Sequence, residues 1–344
     1  MAPIRRRKIQ SALVGSTVWL MQSIESAVLR PFVLKFHNKI RRWKVAHYTM
    51  VYDGSPDDLF IVTYPKSGTT WLQMIVYQLT TDGAMNFAHI DQVSPHLEET
   101  LVPNGRKISD LPGPLRVVKS HQRYRHIPKG PGRYIYGVRN GLDVAVSYYH
   151  HARKYMGGWK DRSLDEFFSA FMAGRVPFGS WFEHVSAWLR NEDGLNVLIV
   201  SYEELSADLE TGVRRIADFC GITIDPADMP RILERCSFAF MREHEHRFSL
   251  ERRMPMPQLG PRTPFIRQGK VGGWQQELDP RLASEFQSAC DQWLRREGDD
   301  RFRTLLGQGA RQDASSAPVP ASSPGPELES AAAAPSRVPI GSAE

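Results

Sequence analysis

Four short runs of apolar residues recur in the middle of the chain. They are rich in β-branched and aromatic side chains and cover residues 59–64 (LFIVTY), 115–120 (LRVVKS), 134–139 (YIYGVR) and 197–202 (VLIVSY). Nearly continuous apolar runs of this length are typical of strands that are buried on both faces, as in a parallel sheet. The pattern therefore predicts four parallel strands.

Segments with apolar residues at helical spacing alternate with these runs. The predicted helices cover residues 70–79, 142–154, 164–172, 181–190, 205–220 and 281–296. Strands that alternate with helices indicate βαβ units, and such units cover both faces of a parallel sheet. We predict an α/β fold with a central parallel sheet flanked by helices, in a three-layer architecture like that of the P-loop nucleotide kinases.

The N-terminal end of the chain has a different pattern. Residues 1–44 form a basic helical extension in which residues 12–34 place apolar side chains on one face of a helix. Gln22, Glu25 and Arg30 interrupt that stretch, whereas a membrane-spanning helix needs about 20 mostly uncharged residues. We expect an amphipathic helix that either packs on the protein's own core or lies on a membrane surface.

The C-terminal end is different again. Residues 308–344 are dominated by Ala, Ser and Pro and have almost no large apolar side chain. Such a segment has too little apolar surface to pack on a core, so we predict a disordered tail. Over all 344 residues, 41% are hydrophobic and 24% are charged, a balance that supports a sizeable core between the two ends.

Charge and cysteine content narrow the class of protein. Lys and Arg (44) outnumber Asp and Glu (38), which gives a net charge of +6. This mild excess suits anionic ligands, and we do not expect nucleic acid as a partner. Cys220, Cys236 and Cys290 are too few and too scattered for a disulfide scaffold or a Cys-x-x-Cys zinc site. We therefore expect a cytoplasmic protein, either free or peripheral at a membrane surface.

The carboxyl ends of the predicted strands carry the candidate chemistry, because ligands of parallel α/β sheets bind there. The strands are followed by Pro65-Lys66-Ser67-Gly68-Thr69-Thr70-Trp71, Lys119-Ser120-His121, Arg139-Asn140-Gly141 and Tyr202-Glu203-Glu204. Cationic, hydroxyl, imidazole and aromatic groups thus meet at one edge of the sheet, where we expect the functional site.

The loop after the first strand has the features of an anion cradle. Pro65 makes a turn, Gly68 gives backbone freedom, and a helix starts directly afterwards, so that backbone N–H groups and the helix dipole face a bound phosphate. The loop differs from a Walker P-loop because Lys66 precedes the glycine and the chain has no Gly-Lys-Ser/Thr. Magnesium has no obvious place, and we predict that no metal is required.

Three motifs resemble those of the cytosolic-type sulfotransferases, which transfer a sulfuryl group from 3′-phosphoadenosine 5′-phosphosulfate (PAPS) to a hydroxyl or an amine. Residues 64–71 (YPKSGTTW) resemble the family's 5′-phosphosulfate loop, residues 139–149 (RNGLDVAVSYY) its 3′-phosphate segment and residues 267–274 (RQGKVGGW) its C-terminal Arg-Lys-Gly-x-x-Gly motif. They occur in the family's order. The resemblance implies a sulfotransferase domain over residues 45–307.

The resemblance also implies how the matching residues bind PAPS. Lys66 contacts the oxygen that bridges the phosphate and the sulfuryl group. Ser67, Gly68, Thr69 and Thr70 hold the 5′-phosphate, Trp71, Tyr202 and Phe238 surround the adenine, and Arg139, Ser147, Arg267, Gln268 and Gly269 form the 3′-phosphate site. Gln268 stands where the family usually has lysine, which weakens one contact to the nucleotide.

His121 is the candidate general base. The acceptor hydroxyl must lose its proton as its oxygen attacks sulfur, and an imidazole suits this near neutral pH. Lys119-Ser120-His121 also resembles the family's Lys-Thr/Ser-His strand end, which implies that His121 is the base and that Lys119 assists the sulfuryl group. We expect an in-line displacement in which Lys66 neutralises charge on the leaving phosphate.

The sequence indicates the acceptor site less clearly than the nucleotide site. Its candidate walls are residues 87–96, 155–159 and 240–264, in which Met241, Phe248, Met254 and Met256 favour a hydrophobic alcohol, phenol or lipid-linked acceptor. The remaining paired histidines, His150-His151 and His244-x-His246, lack metal-ligand spacing, and we expect them on a solvated surface.

The chain departs from the family's pattern at further positions. Gly273 stands where an aspartate commonly precedes the tryptophan, and Gln122-Arg123-Tyr124 replaces a common Leu-Pro after the histidine. The Lys-x-x-x-Thr-Val-x-x-x-Glu dimer motif of many animal members is missing from the sequence, so the oligomeric state stays open.

Two alternative functions stay open at this point. A P-loop nucleotide kinase-like phosphotransferase is favoured by the same sheet and cradle but opposed by the missing Gly-Lys-Ser/Thr. A non-catalytic, membrane-peripheral nucleotide-binding protein is favoured by the basic extension and by Gln268, but Lys66, Lys119 and His121 argue against it.

Overall fold

The computed structural model describes residues 30–81, 83–249 and 264–297, with side chains from Lys39 onward. The predictions made for residues 1–29, for Met254 and Met256 and for the tail at 308–344 lie outside the described residues. The described residues cover most of the domain that the sequence predicts over residues 45–307.

The central sheet has four parallel strands, β1 (Asp58–Thr63), β2 (Arg116–Ser120), β3 (Arg133–Val138) and β4 (Asn196–Ser201). Their order across the sheet is β2-β1-β3-β4, so β1 is central. Val62 on β1 lies opposite Ser120 of β2 on one side and Tyr136 of β3 on the other. Each strand lies within one residue of a predicted run, and the predicted parallel α/β sheet is confirmed.

Ten α-helices are described. They are α1 (Arg30–Val51), α2 (Thr69–Thr80), α3 (Gly141–Tyr155), α4 (Leu164–Met172), α5 (Trp181–Arg190), α6 (Tyr202–Ala207), α7 (Leu209–Cys220), α8 (Met229–Arg235), α9 (Phe238–Glu243) and α10 (Pro280–Glu297). A single-turn π-helix, Leu97–Leu101, precedes β2. Five of the six predicted helices match one observed helix each.

The sixth predicted helix, over residues 205–220, is wrong because the structure has two helices there. Asp208 leaves the helical conformation, with φ −146° and ψ 91°. Its carboxylate accepts hydrogen bonds from the backbone N–H of Thr211 at 3.0 Å and from the Thr211 hydroxyl at 2.7 Å. An aspartate that binds the N–H groups of the following turn is an N-cap, so it starts α7 rather than continuing α6.

The two faces of the sheet carry separate cores, which gives the predicted three layers. Successive side chains of a strand point to opposite faces. Phe60 and Val62 pack in a core with residues of α3, α4, α5 and α10. Leu59 and Ile61 pack on the other face with residues of α2, α7 and α8. Because every residue of β1 is buried, the loop that follows it starts from a rigid position.

Helix α1 crosses residue 44, where we predicted the boundary between the N-terminal extension and the domain. Val45 is buried in the core. Lys44 Nζ donates to the Pro103 carbonyl at 2.9 Å, and the Tyr48 hydroxyl accepts from the Ile108 N–H at 3.1 Å. The C-terminal half of α1 therefore packs on the domain. Among the helices described here, none has the length and apolar character needed to cross a bilayer.

Candidate active site

A cavity of about 450 Å³ opens at the carboxyl ends of the strands. It is lined by the following residues that the sequence singled out: Lys66, Gly68, Thr69, Thr70, Trp71, Lys119, His121, Arg139, Ser147, Tyr202, Phe238, Arg267, Gln268 and Gly269. Ser67 is the one predicted site residue that is not in the lining. The structure thus brings segments that are far apart in the sequence to one edge of the sheet.

The loop between β1 and α2 is built around two residues with positive φ. Lys66 has φ 71° and Gly68 has φ 91°. A Cβ on Gly68 would lie 2.9 Å from the Tyr202 ring, so both the backbone conformation and the space require glycine. Helix α2 begins at Thr69, and the three residues of its first turn, 69–71, line the cavity. The N–H groups of a first helical turn have no partner within the helix and can bind an anion.

Ser67 belongs to this loop but does not line the cavity. Its side chain is buried, and its Oγ has no hydrogen-bond partner among the described residues. The Nε of Arg139 is also buried and, in the described part of the chain, unpaired. Buried donors without a partner are uncommon in proteins. The free donor of Arg139, a residue that lines the cavity, fits a site that accepts an anion.

Lys66 is a cation in a confined environment. Its ammonium lies 4.8 Å from the centre of the Phe265 ring. Burial, together with the nearby guanidinium groups of Arg139 and Arg267, lowers the pKa of Lys66 to about 8. Like charges held together in this way favour an anionic ligand, which relieves their mutual repulsion.

Arg139 connects three segments of the site. It donates to the Lys66 carbonyl at 3.3 Å and to the Lys270 carbonyl at 2.9 Å, and its guanidinium lies 4.2 Å from the centre of the Tyr202 ring. Asn140 then caps α3 by accepting from the N–H groups that follow. Arg139 therefore stands at the N-terminal end of α3, where the helix dipole adds to its positive charge.

Asp143 on α3 fixes the C-terminal motif against this helix. Its two carboxylate oxygens accept from the N–H of Gly272 at 2.8 Å and from the N–H of Trp274 at 3.1 Å. Arg267 in the same motif pairs with Glu277. Burial raises the pKa of Glu277, but hydrogen bonds from His150 and Arg267 outweigh it and leave the pKa below its ordinary value.

Three aromatic residues, Trp71, Tyr202 and Phe238, line the cavity. The indole N–H of Trp71 donates to the Cys236 carbonyl at 2.8 Å, and the Trp71 ring meets Tyr202 at 5.2 Å between centroids. Phe238 is 44% exposed and packs so closely on Gly269 that a Cβ there would lie 2.3 Å from its ring. An exposed phenylalanine beside a cavity offers a flat apolar face to a ligand.

His121 is oriented by its ring nitrogen and by its backbone. Nδ1 lies 3.0 Å from the carbonyl oxygen of Thr63, and since that oxygen can only accept, Nδ1 carries the proton. Nε2 is then the basic nitrogen. The His121 N–H donates to Glu98 Oε1 at 2.7 Å, and its carbonyl accepts from His184 Nε2 at 3.2 Å. Burial and the nearby charge of His96 lower the pKa of His121 to about 4.

Lys119 enters the cavity beside His121. Its ammonium lies 3.2 Å from Asp91 Oδ1, so part of its charge is compensated by a carboxylate. The backbone N–H of Lys119 donates to the Pro95 carbonyl at 3.0 Å. Both contacts hold the lysine against the segment that leads into the π-helix.

Sequence reasoning missed a group of ionisable residues next to His121. His96 is buried between two carboxylates, with Nε2 3.2 Å from Glu98 and Nδ1 3.0 Å from Glu99. Burial lowers the pKa of His96, but the two carboxylates outweigh it and raise the pKa to about 9. The run Pro-His-Leu-Glu-Glu shows that these groups are adjacent, but nothing in it shows that they meet His121.

His151 was expected on a solvated surface, and this expectation is wrong. It is half-buried and lines the cavity, because it lies one helical turn beyond Ser147 on the same face of α3. The i, i+4 spacing from a predicted site residue is the signal that would have found it. His150 instead points to Glu277, with Nε2 2.5 Å from the carboxylate.

Met156, Phe178 and Met241 are apolar residues in the lining of the cavity. Phe248, which we expected to offer apolar surface to the acceptor, is buried in the core behind α2 and is not part of the lining. The described residues contain no group of three or more His, Cys, Asp or Glu side chains placed to hold a metal ion.

A parallel sheet with an anion cradle after its central strand and an imidazole after the neighbouring strand defines a group-transfer enzyme that uses an anionic donor. A model of the sulfotransferase domain matches residues 56–298. The chain therefore belongs to the sulfotransferase family, and it is a transferase of sulfuryl groups. This excludes the nucleotide kinase alternative.

Individual relatives agree with this assignment. Sulfotransferase 1E1 of Mus musculus is 31% identical over 252 residues, which covers 70% of this chain and 84% of that protein. The 3-beta-hydroxysteroid sulfotransferase of Cavia porcellus is 33% identical over 238 residues, covering 67% and 81%. The crystal structure of mouse sulfotransferase SULT7A1 complexed with PAP has a TM-score of 0.62 at 26% identity, covering 80% of this chain and 94% of that one.

Proposed function

We propose that this protein transfers the sulfuryl group of PAPS to a hydroxyl, or an amine, of a small hydrophobic acceptor, with His121 as the general base. The observation that carries the proposal is the hydrogen bond from His121 Nδ1 to the Thr63 carbonyl. It leaves Nε2 as the basic nitrogen in a cavity that also holds the anion cradle at Lys66.

PAPS as the donor is supported by two separate groups of cationic and polar residues. One is the Lys66 loop with the first turn of α2, and the other consists of Arg139, Ser147 and the loop at 267–270. A nucleotide with a 5′-phosphosulfate and a 3′-phosphate needs two such groups. The similar structure of mouse SULT7A1 contains PAP, the nucleotide that remains after PAPS has given up its sulfuryl group.

The reaction is an in-line displacement at sulfur. A bond forms between the acceptor oxygen and sulfur, while the bond between sulfur and the bridging phosphate oxygen breaks. His121 Nε2 takes the proton of the acceptor hydroxyl. Lys66 stabilises the charge that develops on the leaving phosphate, and Lys119 stabilises the oxygens of the transferring group.

A hydrophobic acceptor is supported by Met156, Phe178 and Met241, which add apolar surface to the lining of the cavity. Apolar side chains of this kind bind a flat or flexible hydrocarbon, while a few polar groups orient its hydroxyl. The 3-beta-hydroxysteroid sulfotransferase among the relatives is named for an acceptor of this class.

The test is a panel of acceptors assayed with labelled PAPS, both for the unchanged protein and for His121→Ala. Hydrophobic alcohols and phenols of increasing size are compared with sugars of similar size. Label transfer to hydrophobic hydroxyls that is lost in His121→Ala supports the proposal. Transfer that persists in His121→Ala contradicts the role of His121 as base, and transfer to sugars alone contradicts the acceptor class.

We also propose that α1 lets the enzyme bind reversibly to anionic membranes, where a lipid-linked acceptor would be found. Its 22 residues include six Lys or Arg and no Asp or Glu. Trp43 is 66% exposed and Met50 is 80% exposed, and with Ile40 they lie along one side of the helix. An apolar stripe flanked by basic residues is the pattern of a helix that lies on an anionic lipid surface.

A further inference from the structure

Two histidines meet beside the proposed site of proton transfer. The rings of His96 and His121 lie 5.2 Å apart between centroids and are nearly perpendicular, at 85°. The Phe178 ring also contacts His121, at 5.4 Å between centroids. The His121 ring therefore contacts two rings, one of which is ionisable.

The charge state of His96 follows from its contacts. Each of its two ring nitrogens faces a carboxylate oxygen, Glu98 at 3.2 Å and Glu99 at 3.0 Å. Both distances are those of ion pairs, and the contacts are favourable when the ring is an imidazolium that faces two ionised carboxylates. The pKa of His96, which the two carboxylates raise, agrees with this charge state.

Glu98 links the two histidines. The same Oε1 atom that lies next to His96 accepts the backbone N–H of His121 at 2.7 Å. Movement of His96 would therefore change both the charge near His121 and the position of its backbone.

Several other groups face His121 from the surrounding elements. Lys119 lies two residues before it, near the end of β2. His151 faces it from α3, and His184 on α5 contacts its carbonyl. The charges of Lys119 and of protonated histidines oppose protonation of His121, and Glu98 favours it. His96 is the charged ring in direct contact with His121.

We propose that His96 is a positioning residue whose charged ring, held by Glu98 and Glu99, keeps His121 neutral and correctly oriented to accept a proton. This rests on the proposed role of His121 as general base. A base must be unprotonated before the reaction, so a cation fixed against its ring extends activity to lower pH. His96 itself takes no proton from the acceptor.

The test measures kcat/KM from pH 4.5 to 9 for the unchanged protein, His96→Gln and His96→Lys. In His96→Gln the cation is lost and Glu98 remains, so the acid limb of the profile should move up by roughly one pH unit or more. His96→Lys keeps a cation and should restore the limb towards its original position. His184→Gln is the matched control, because it removes a contact to His121 without removing a fixed charge, and it should lower the rate without moving the limb.

The outcomes separate this inference from the function on which it rests. If His96→Gln lowers activity equally at every pH, or if His96→Lys moves the limb as far as His96→Gln does, His96 has only a structural role. If His121→Ala keeps normal turnover, the general-base proposal itself fails. Binding of PAP, measured by calorimetry, shows whether each variant is folded.

A second measurement needs no substitution. Nitrogen-15 NMR of histidine-labelled protein at pH 7 distinguishes protonated from unprotonated ring nitrogens. We expect two protonated nitrogens for His96 and one, Nδ1, for His121. A neutral His96 in this spectrum would overturn the inference even if no variant folded.

Discussion

The side-chain oxygen of Gln268 lies 3.1 Å from the point where a Cβ atom on Gly273 would stand. These are the two positions at which the C-terminal motif departs from the family's usual sequence. A side chain at 273 would press on the Gln268 amide, whereas Asp143 Oδ1, 3.8 Å from the same point, is at an ordinary contact distance. The two departures are therefore one local arrangement, in which the glycine leaves room for the glutamine.

Gln268→Lys should increase the preference for adenosine 3′,5′-bisphosphate over adenosine 5′-phosphate by several-fold. A charge-assisted hydrogen bond is about twice as strong as a neutral one, and the lysine would supply the cation that Gln268 lacks. Binding of both nucleotides is measured by calorimetry. Lys270→Ala is the control, since the Lys270 side chain is exposed and contributes only its backbone carbonyl to Arg139. If neither substitution changes the preference, this loop does not hold the 3′-phosphate.

His121→Ala should lower kcat by about 10²–10⁴-fold and leave the affinity for PAP nearly unchanged. The imidazole serves the acceptor proton, whereas the nucleotide is held by the Lys66 and Arg139 segments. Turnover with labelled PAPS and PAP binding by calorimetry are measured on the same preparation. A parallel loss of nucleotide affinity would show that His121 supports the nucleotide site instead.

The affinity for PAP should fall as the pH rises through about 8. The pKa of Lys66 is lowered to about 8, so its ammonium is charged below that pH and neutral above it. Calorimetry between pH 6.5 and 9.5 measures the trend.

Lys66→Ala should bind PAP at least about tenfold more weakly at pH 7, because a hydrogen bond to a charged group is lost. The affinity of this variant for PAP should also no longer fall as the pH rises through about 8. If the affinity still falls there, a group other than Lys66 is titrating.

Arg42→Glu should weaken sedimentation with vesicles that contain phosphatidylserine, while leaving turnover of a soluble acceptor unchanged. Each basic residue near an anionic bilayer contributes about 1 kcal/mol to binding. Arg295→Glu in α10 makes the same charge change at another exposed helical position and should have little effect. If both variants sediment with the vesicles equally weakly, binding depends on the net charge of the protein and not on α1. If the protein binds neutral vesicles and Trp43→Ser does not reduce that binding, α1 is not the part of the protein that contacts the membrane.

The sheet and the cluster of polar and cationic residues at its carboxyl edge were predictable because they depend on short stretches of sequence. A strand buried on both faces, such as β1, shows as a continuous apolar run, and the residues after it fall at the carboxyl edge by topology alone. For this reason the sequence predicts Lys66, His121 and Arg139 at the same edge of the sheet, and all three line the cavity there.

The parts that could not be predicted depend on contacts between distant segments. Nothing in the run around His96 shows that the π-helix would bring it against His121, since that contact is made by packing of separate elements. Asp208 falls inside the helix that the sequence predicts over residues 205–220, and only its backbone conformation shows that it caps α7. The pairing of Arg267 with Glu277 likewise depends on a turn that the motif does not describe.

Asp143 accepts from two backbone N–H groups, and backbone groups are present whatever the side chains are. The loop from Arg267 to Trp274 can therefore exchange side chains, as Gln268 and Gly273 illustrate, and still stay attached to α3. It cannot gain or lose a residue without moving one of those N–H groups out of reach of the carboxylate. Among homologous chains, the number of residues in this loop should consequently vary less than their identity.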